Sequence, residues 1–146
     1  MSAESHGPVS EKLIYEYCLL RYVPDIERGE FINVGLMMMC KRRRWLRTAL
    51  RIDEERALAL APECDLVRLR TQLGVFTRSD VPEAGLPVEE RYRWMGAVKS
   101  AIIQTSPSHP GLLLLSDGDD VRKRLDVEFD RLFARLVCRL PTAAPG

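Results

Sequence analysis

The longest uninterrupted apolar runs in this chain, such as Leu36 to Cys40 or Leu112 to Leu115, are only a handful of residues. A bilayer-spanning helix needs about 20, so no transmembrane segment is expected and no membrane is among the expected partners. The first residues, Met1 to Pro8, have neither the positive start nor the apolar centre of a secretory signal, so export is not expected either and a cytoplasmic location is. Histidine occurs only as His6 and His109, and Cys18, Cys40, Cys64 and Cys138 are widely separated, without a Cys-x-x-Cys pair. Structural zinc needs clustered Cys or His ligands. No metal and no cofactor are therefore expected, and the cysteines read as reduced, buried small hydrophobes. Charge is balanced, with a net value of +1, leaving no global field to attract nucleic acid.

The sequence also lacks the parts of a catalytic apparatus. No glycine-rich phosphate loop occurs, and no serine or cysteine has a base at a recognisable spacing from His109. Pro24-Asp25 resembles one half of a Pro-Asp…(Asp/Glu)-x-Lys metal nuclease site, but no downstream acid lies two residues before a lysine. Asp117-Gly118-Asp119-Asp120 has the composition of a cation loop without its ligand spacing, and helix capping explains it better. No catalytic residue is assigned.

What is present fits one domain. The chain has 146 residues, of which 46% are hydrophobic and 29% charged, which excludes disorder and supports a single core. Residues 12–23 are rich in aromatic and aliphatic side chains on both parities, as in a central strand. A second strand from Phe31 to about Lys41 shows Ile32, Val34, Leu36, Met38 and Cys40 as one apolar face, with Asn33 and Gly35 together on the other. Met37, Met38 and Met39 must alternate between faces, which makes them core filling. A third strand spans Trp45 to Ile52. Asp53-Glu54-Glu55 opens a helix that Pro62 stops, and Pro62 can begin a second with Leu66, Leu69 and Leu73 on one stripe. Val88 to Gln104 reads as a third helix, Leu112 to Leu115 as a buried strand, and Val121 to Leu140 as a last amphipathic helix ended by Pro141.

The expected fold is α+β: a mainly antiparallel sheet, made of an N-terminal three-stranded meander plus one later strand, packed by three to four helices. Residues 12–140 form the domain, and residues 1–11 and 141–146 are tails.

Two polar stretches stand out. Between the first two strands, Arg21, Asp25, Arg28, Glu30 and Asn33 crowd both signs of charge and an amide at one end of the sheet. Pro24, Asp25 and Gly29 suffice to shape a wide hairpin loop, yet the cluster carries more polar chemistry than a turn needs and is a candidate partner or ligand site. The second stretch, Lys41, Arg42, Arg43, Arg44, Arg47 and Arg51, has no intervening acid. With Trp45 beside it, it fits either a solvated hairpin tip or a salt-sensitive nucleic-acid contact with a stacking indole.

The run Tyr17-Cys-Leu-Leu-Arg21-Tyr22-Val-Pro24-Asp25-Ile-Glu-Arg28-Gly29-Glu30-Phe31-Ile-Asn33-Val34-Gly35 resembles the signature of a bacterial family of unknown function, the one numbered 3037 among such domains. Residues 126–137 are similar to that family's C-terminal segment, and the resemblance covers residues 12 to about 138. It brings no catalytic residue. It implies genomic company with a HipA-like serine/threonine kinase, and hence an accessory or antitoxin-like role beside a kinase partner. Two functional classes stay open on the sequence: a non-enzymatic protein-interaction module using the Arg21–Gly35 stretch, and a nucleic-acid-binding or nucleic-acid-processing domain using Lys41 to Arg51.

Overall fold

A computed structural model describes residues 8–77, 85–97 and 100–138. The longest strand, β1 (Val9–Tyr22), is the centre of a five-stranded antiparallel sheet. Its aromatic and aliphatic composition explains this, because most of its residues have an apolar layer on one side or the other. Along one edge it pairs with β2 (Ile32–Cys40), which in turn pairs with β3 (Trp45–Leu50), giving the expected meander. Along its other edge two later strands follow one another. A short β4 (Ile103–Thr105) lies beside Leu20 to Tyr22, and β5 (His109–Ser116) lies beside Val9 to Tyr17.

Ser106 bridges the gap between β4 and β5. Its backbone N–H donates to Leu19 O at 2.8 Å, and its hydroxyl accepts from Leu19 N at 2.8 Å. A side-chain oxygen thus stands in for a ladder carbonyl, and the central strand keeps its buried amide satisfied.

Helices cover both faces of the sheet. On one lie α1 (Glu54–Leu60), α2 (Leu66–Leu73) with the 3-10 turn Gly74–Phe76, and α3 (Val88–Gly96). They bury Ala57, Leu69, Leu73, Phe76, Tyr92 and Met95 against Cys18, Leu20, Tyr22, Val34, Met37 and Met39. On the other lies α4 (Val121–Leu136), whose Leu125, Phe129 and Leu132 meet Leu13, Tyr15, Leu19, Leu36, Met38, Trp45, Leu113 and Leu115. Each helix except α3 begins at an aspartate that accepts an amide of its own first turn: Asp53 from Arg56, Asp65 from Arg68, and Asp120 from Lys123.

The structure corrects the sequence reading at five places. The apolar alternation of β2 does not run on one face, because the register with β1 slips at Leu20/Arg21 and leaves Val34 as an extra residue. This bulge puts Ile32 and Val34 on the α1–α3 side with Met37 and Met39, while Leu36, Met38 and Cys40 face α4. Asn33 and Gly35 consequently point to opposite faces. The third helix stops at Gly96 rather than Gln104, and the residues from Ile103 supply β4. The second helix starts at Leu66, capped by Asp65, rather than at Pro62. The expected one later strand is two, and the stretch read as Leu112 to Leu115 extends to His109–Ser116. Of the expected tails, Val9 to Glu11 belong to β1, whereas Leu140 and residues 141–146 lie outside the described residues.

The tight connection between β2 and β3, residues 41–44, closes with Arg44 N donating to Lys41 O at 3.1 Å and with Arg44 at φ +52°. That left-handed conformation costs a side-chain-bearing residue about 1–2 kcal/mol. Arg44→Gly is therefore expected to raise stability by about 0.5–1 kcal/mol net of the entropy glycine adds to the unfolded chain, seen as a higher urea midpoint at unchanged slope.

Candidate functional site

The loop between β1 and β2 is held at both ends and wound in the middle. Val23 N donates to Ile102 O at 2.8 Å, tying its start to the segment before β4. The Asp25 carboxylate accepts Glu27 N at 3.0 Å, and Asp25 O accepts Gly29 N at 3.2 Å. Gly29 sits at φ +70°, where any Cβ is strained. Pro24, Asp25 and Gly29 thus do shape the turn, as their chemistry predicts.

What the shaped loop displays is a mixture of charge and apolar surface. Arg28 Nε donates to Glu30 Oε1 at 2.8 Å. The Arg28 guanidinium holds the Glu30 carboxyl below the usual carboxylate range, and Glu30 raises Arg28 in return. Both are solvated, so the pair orders the loop more than it stabilises the fold. Beside it Ile26 is 57% exposed and Phe31 43% exposed. The Arg21 guanidinium carbon lies 4.2 Å from the centre of the Phe31 ring, a cation–π contact that fixes the ring's outward face.

Arg21 and Asn33 are cross-strand partners on the face that carries α4. Asn33 Nδ2 donates to Leu136 O at 3.1 Å, in the last helical turn where carbonyls lack internal donors. Asn33 is therefore a C-terminal cap for α4, linked to it across 103 residues of sequence. Among the described residues, Asn33 Oδ1 and Arg21 Nε are buried without a hydrogen-bond partner. Asn33→Ala is expected to cost about 1 kcal/mol, because the Leu136 carbonyl loses its donor. Hydrogen exchange should speed up in the last turn of α4 and leave β1 unchanged.

The five candidates thus divide. Asp25, Arg28 and Glu30 meet on the loop, Arg21 and Asn33 meet on the sheet, and Phe31 connects the two sets.

The basic stretch is placed differently from what a hairpin tip of free cations requires. Arg43 is ion-paired with Glu11 and Arg42 lies 3.7 Å from the same carboxylate. Arg122 donates to Arg43 O at 3.3 Å. Arg47 spans Asp130 at 3.1 Å and Asp126 at 3.5 Å while lying over the Phe129 ring at 4.3 Å. Arg51 follows β3 and lines a cleft of about 270 Å³ with Leu50, Ile52, Arg70 and Leu73. Trp45 is 4% exposed and packs on Phe129, so it is a core residue and not the stacking platform the sequence offered.

Two polar networks were not read from the sequence. Tyr15 donates its hydroxyl to Glu128, to which Arg131 also donates from Nε at 2.9 Å and Nη2 at 2.8 Å. Near the opposite face, the Tyr92 hydroxyl meets Ser108 Oγ at 2.7 Å, and Ser108 donates to Glu16 at 3.0 Å. Burial pushes the neighbouring Cys18 thiol up to about 11, so it stays protonated at neutral pH and is a poor nucleophile. Each network joins residues far apart in the chain, and no local motif marks them. Asp119 and Asp120 bind Arg124 and the first turn of α4, the capping role their composition predicts.

No curated protein and no solved structure matches the chain significantly. One family profile does match, over residues 17–137, and that span holds the loop, both polar candidate stretches and all of α4. The chain belongs to the family described as "Protein of unknown function (DUF3037)".

Proposed function

We propose that this protein is a non-enzymatic interaction module that captures a protein partner on the Pro24–Phe31 loop. The observation that carries this reading is the combination of a wound, Gly29-dependent backbone with an outward Phe31 braced by Arg21 and a neighbouring exposed Ile26. Aromatic and arginine anchors dominate binding energy at protein interfaces, and a pre-shaped loop loses little entropy on docking. Arg28 and Glu30 supply the polar rim. The family resemblance makes a HipA-like serine/threonine kinase the first partner to try, in an accessory role of the toxin–antitoxin type. Capture on the immobilised chain from its native host, read by mass spectrometry, should enrich a protein; failure to enrich any would sink the reading.

A second reading, nucleic-acid binding along Lys41 to Arg51, draws on Lys41 and Arg44, which have no carboxylate partner among the described residues. Glu11, Asp126 and Asp130 weigh against it, since each already engages an arginine that a phosphate would need. Titration of labelled DNA and RNA at low salt separates the two. No binding eliminates the second reading, and binding abolished by Arg42→Ala, Arg43→Ala and Arg44→Ala together would favour it.

A further inference from the structure

The two edges of the sheet are protected to very different degrees. β3 carries Arg47, and Arg51 follows it, charges of the kind that discourage edge-to-edge pairing. β5, the edge beside the first half of β1, carries no Asp, Glu, Lys or Arg from His109 to Ser116.

Its backbone is open as well. Pro110 has no N–H, so within an antiparallel ladder its nitrogen must face away from β1. By the two-residue alternation, the N–H and C=O groups of Leu112 and Leu114 face away too, while those of Leu113 and Leu115 face β1. Ser10 Oγ donating to Leu115 O from the β1 side agrees with that phase. Among the described residues nothing bonds the outer groups of Leu112 and Leu114. Their side chains are 52% and 47% exposed, and with Ile14 at 63% they make an apolar strip on the face opposite α4.

We propose that β5 is a self-pairing edge, on which a second copy of this chain adds its own β5 antiparallel and joins two five-stranded sheets into one. The free groups fix the register. Leu112 and Leu114 must exchange hydrogen bonds with the second copy's Leu114 and Leu112, which sets a twofold axis at Leu113. Centring on Leu112 instead would set Pro110, which has no N–H, opposite Leu114. In the Leu113 register His109 of each copy lies beside Asp117 of the other, so an imidazole meets a carboxylate at both ends and no like charges meet between them. A peptide from another protein would find the same free backbone but not this symmetric charge match. The edge lies at the far end of β1 from the Pro24–Phe31 loop, so a dimer displays two such loops.

Sedimentation velocity of the full chain at about 100 µM, where a micromolar contact is saturated, is expected to show a dimer. Leu112→Lys with Leu114→Lys sets like charges opposite each other and should give a monomer. Leu112→Glu with Leu114→Glu should do the same, and mixing the two variants should restore a dimer. His109→Asp, which changes only the first residue of β5 and leaves Leu112 to Leu114 as they are, should weaken dimerisation by about tenfold through repulsion at Asp117. A monomeric wild type overturns the proposal, as do charged variants that still dimerise on their own or a mixture that stays monomeric. Circular dichroism of each variant checks that it is folded.

Discussion

Phe129→Ala is expected to remove about 3–5 kcal/mol of folding stability, a large share of the roughly 5–15 kcal/mol typical of a domain. Phe129 is fully buried at the centre of the α4 face. Its ring meets Trp45 edge-on at 6.3 Å and stacks on Phe133 at 6.0 Å, and Arg47 covers its remaining face at 4.3 Å. Truncation therefore leaves a cavity that a rigid sheet on one side and a helix on the other cannot fill. It also removes the surface on which Arg47 rests between Asp126 and Asp130. Phe129→Leu keeps most of the volume and should cost less than about 2 kcal/mol. Urea unfolding followed by the fluorescence of Trp45, which lies against the ring, measures both.

Gly111→Ala is expected to cost about 2–3 kcal/mol, more than any ordinary single-methyl addition at a half-buried strand position. The Tyr15 ring lies directly over Gly111, its cross-strand neighbour, and a Cβ there would overlap the ring and its hydroxyl oxygen. The ring cannot swing aside freely, because Tyr15 is 4% exposed and its hydroxyl is tied to Glu128. Moving it would break a half-buried charge-assisted bond as well as packing. The cause is separable: in a Tyr15→Ala background the same Gly111→Ala change should cost less than about 0.5 kcal/mol. The network also sets a pH dependence. Hydrogen bonds from Arg131 hold the Glu128 carboxyl below its ordinary value of 4.5. Its contribution is therefore complete above that value and is lost as pH falls through the lower folded one. Arg131→Leu should flatten that part of the acid-unfolding profile.

How much of this was legible beforehand depends on how local the cause is. The meander, the α4 stripe, the alternation of Met37 to Met39 and the aspartates that cap α1 and α4 follow from neighbours in sequence, and the structure contains them. The bulge at Val34 was hidden, because a period-two pattern of Ile32, Val34, Leu36, Met38 and Cys40 remains apolar whichever side each residue faces when helices cover both sides of the sheet. β4 was hidden for a different reason: three residues carry too little pattern, and its place is set by pairing with Leu20 to Tyr22 more than 80 positions earlier. The candidate loop shows the same split. The turn chemistry of Asp25 and Gly29 was readable, whereas the capping of α4 by Asn33 and the loss of Trp45 to the core required the tertiary fold.

On the proposed reading, Ile26 and Phe31 on the shaped loop anchor a protein partner. The most direct test of that reading is calorimetric titration of the captured partner against three folded chains: wild type, Ile26→Ala with Phe31→Ala, and Arg42→Ala with Arg43→Ala and Arg44→Ala. The prediction is a loss of at least about 30-fold in affinity, or about 2 kcal/mol, for the loop variant alone, with the basic-turn variant within about threefold of wild type. Undiminished binding by the loop variant, or a loss confined to the basic-turn variant, would contradict it.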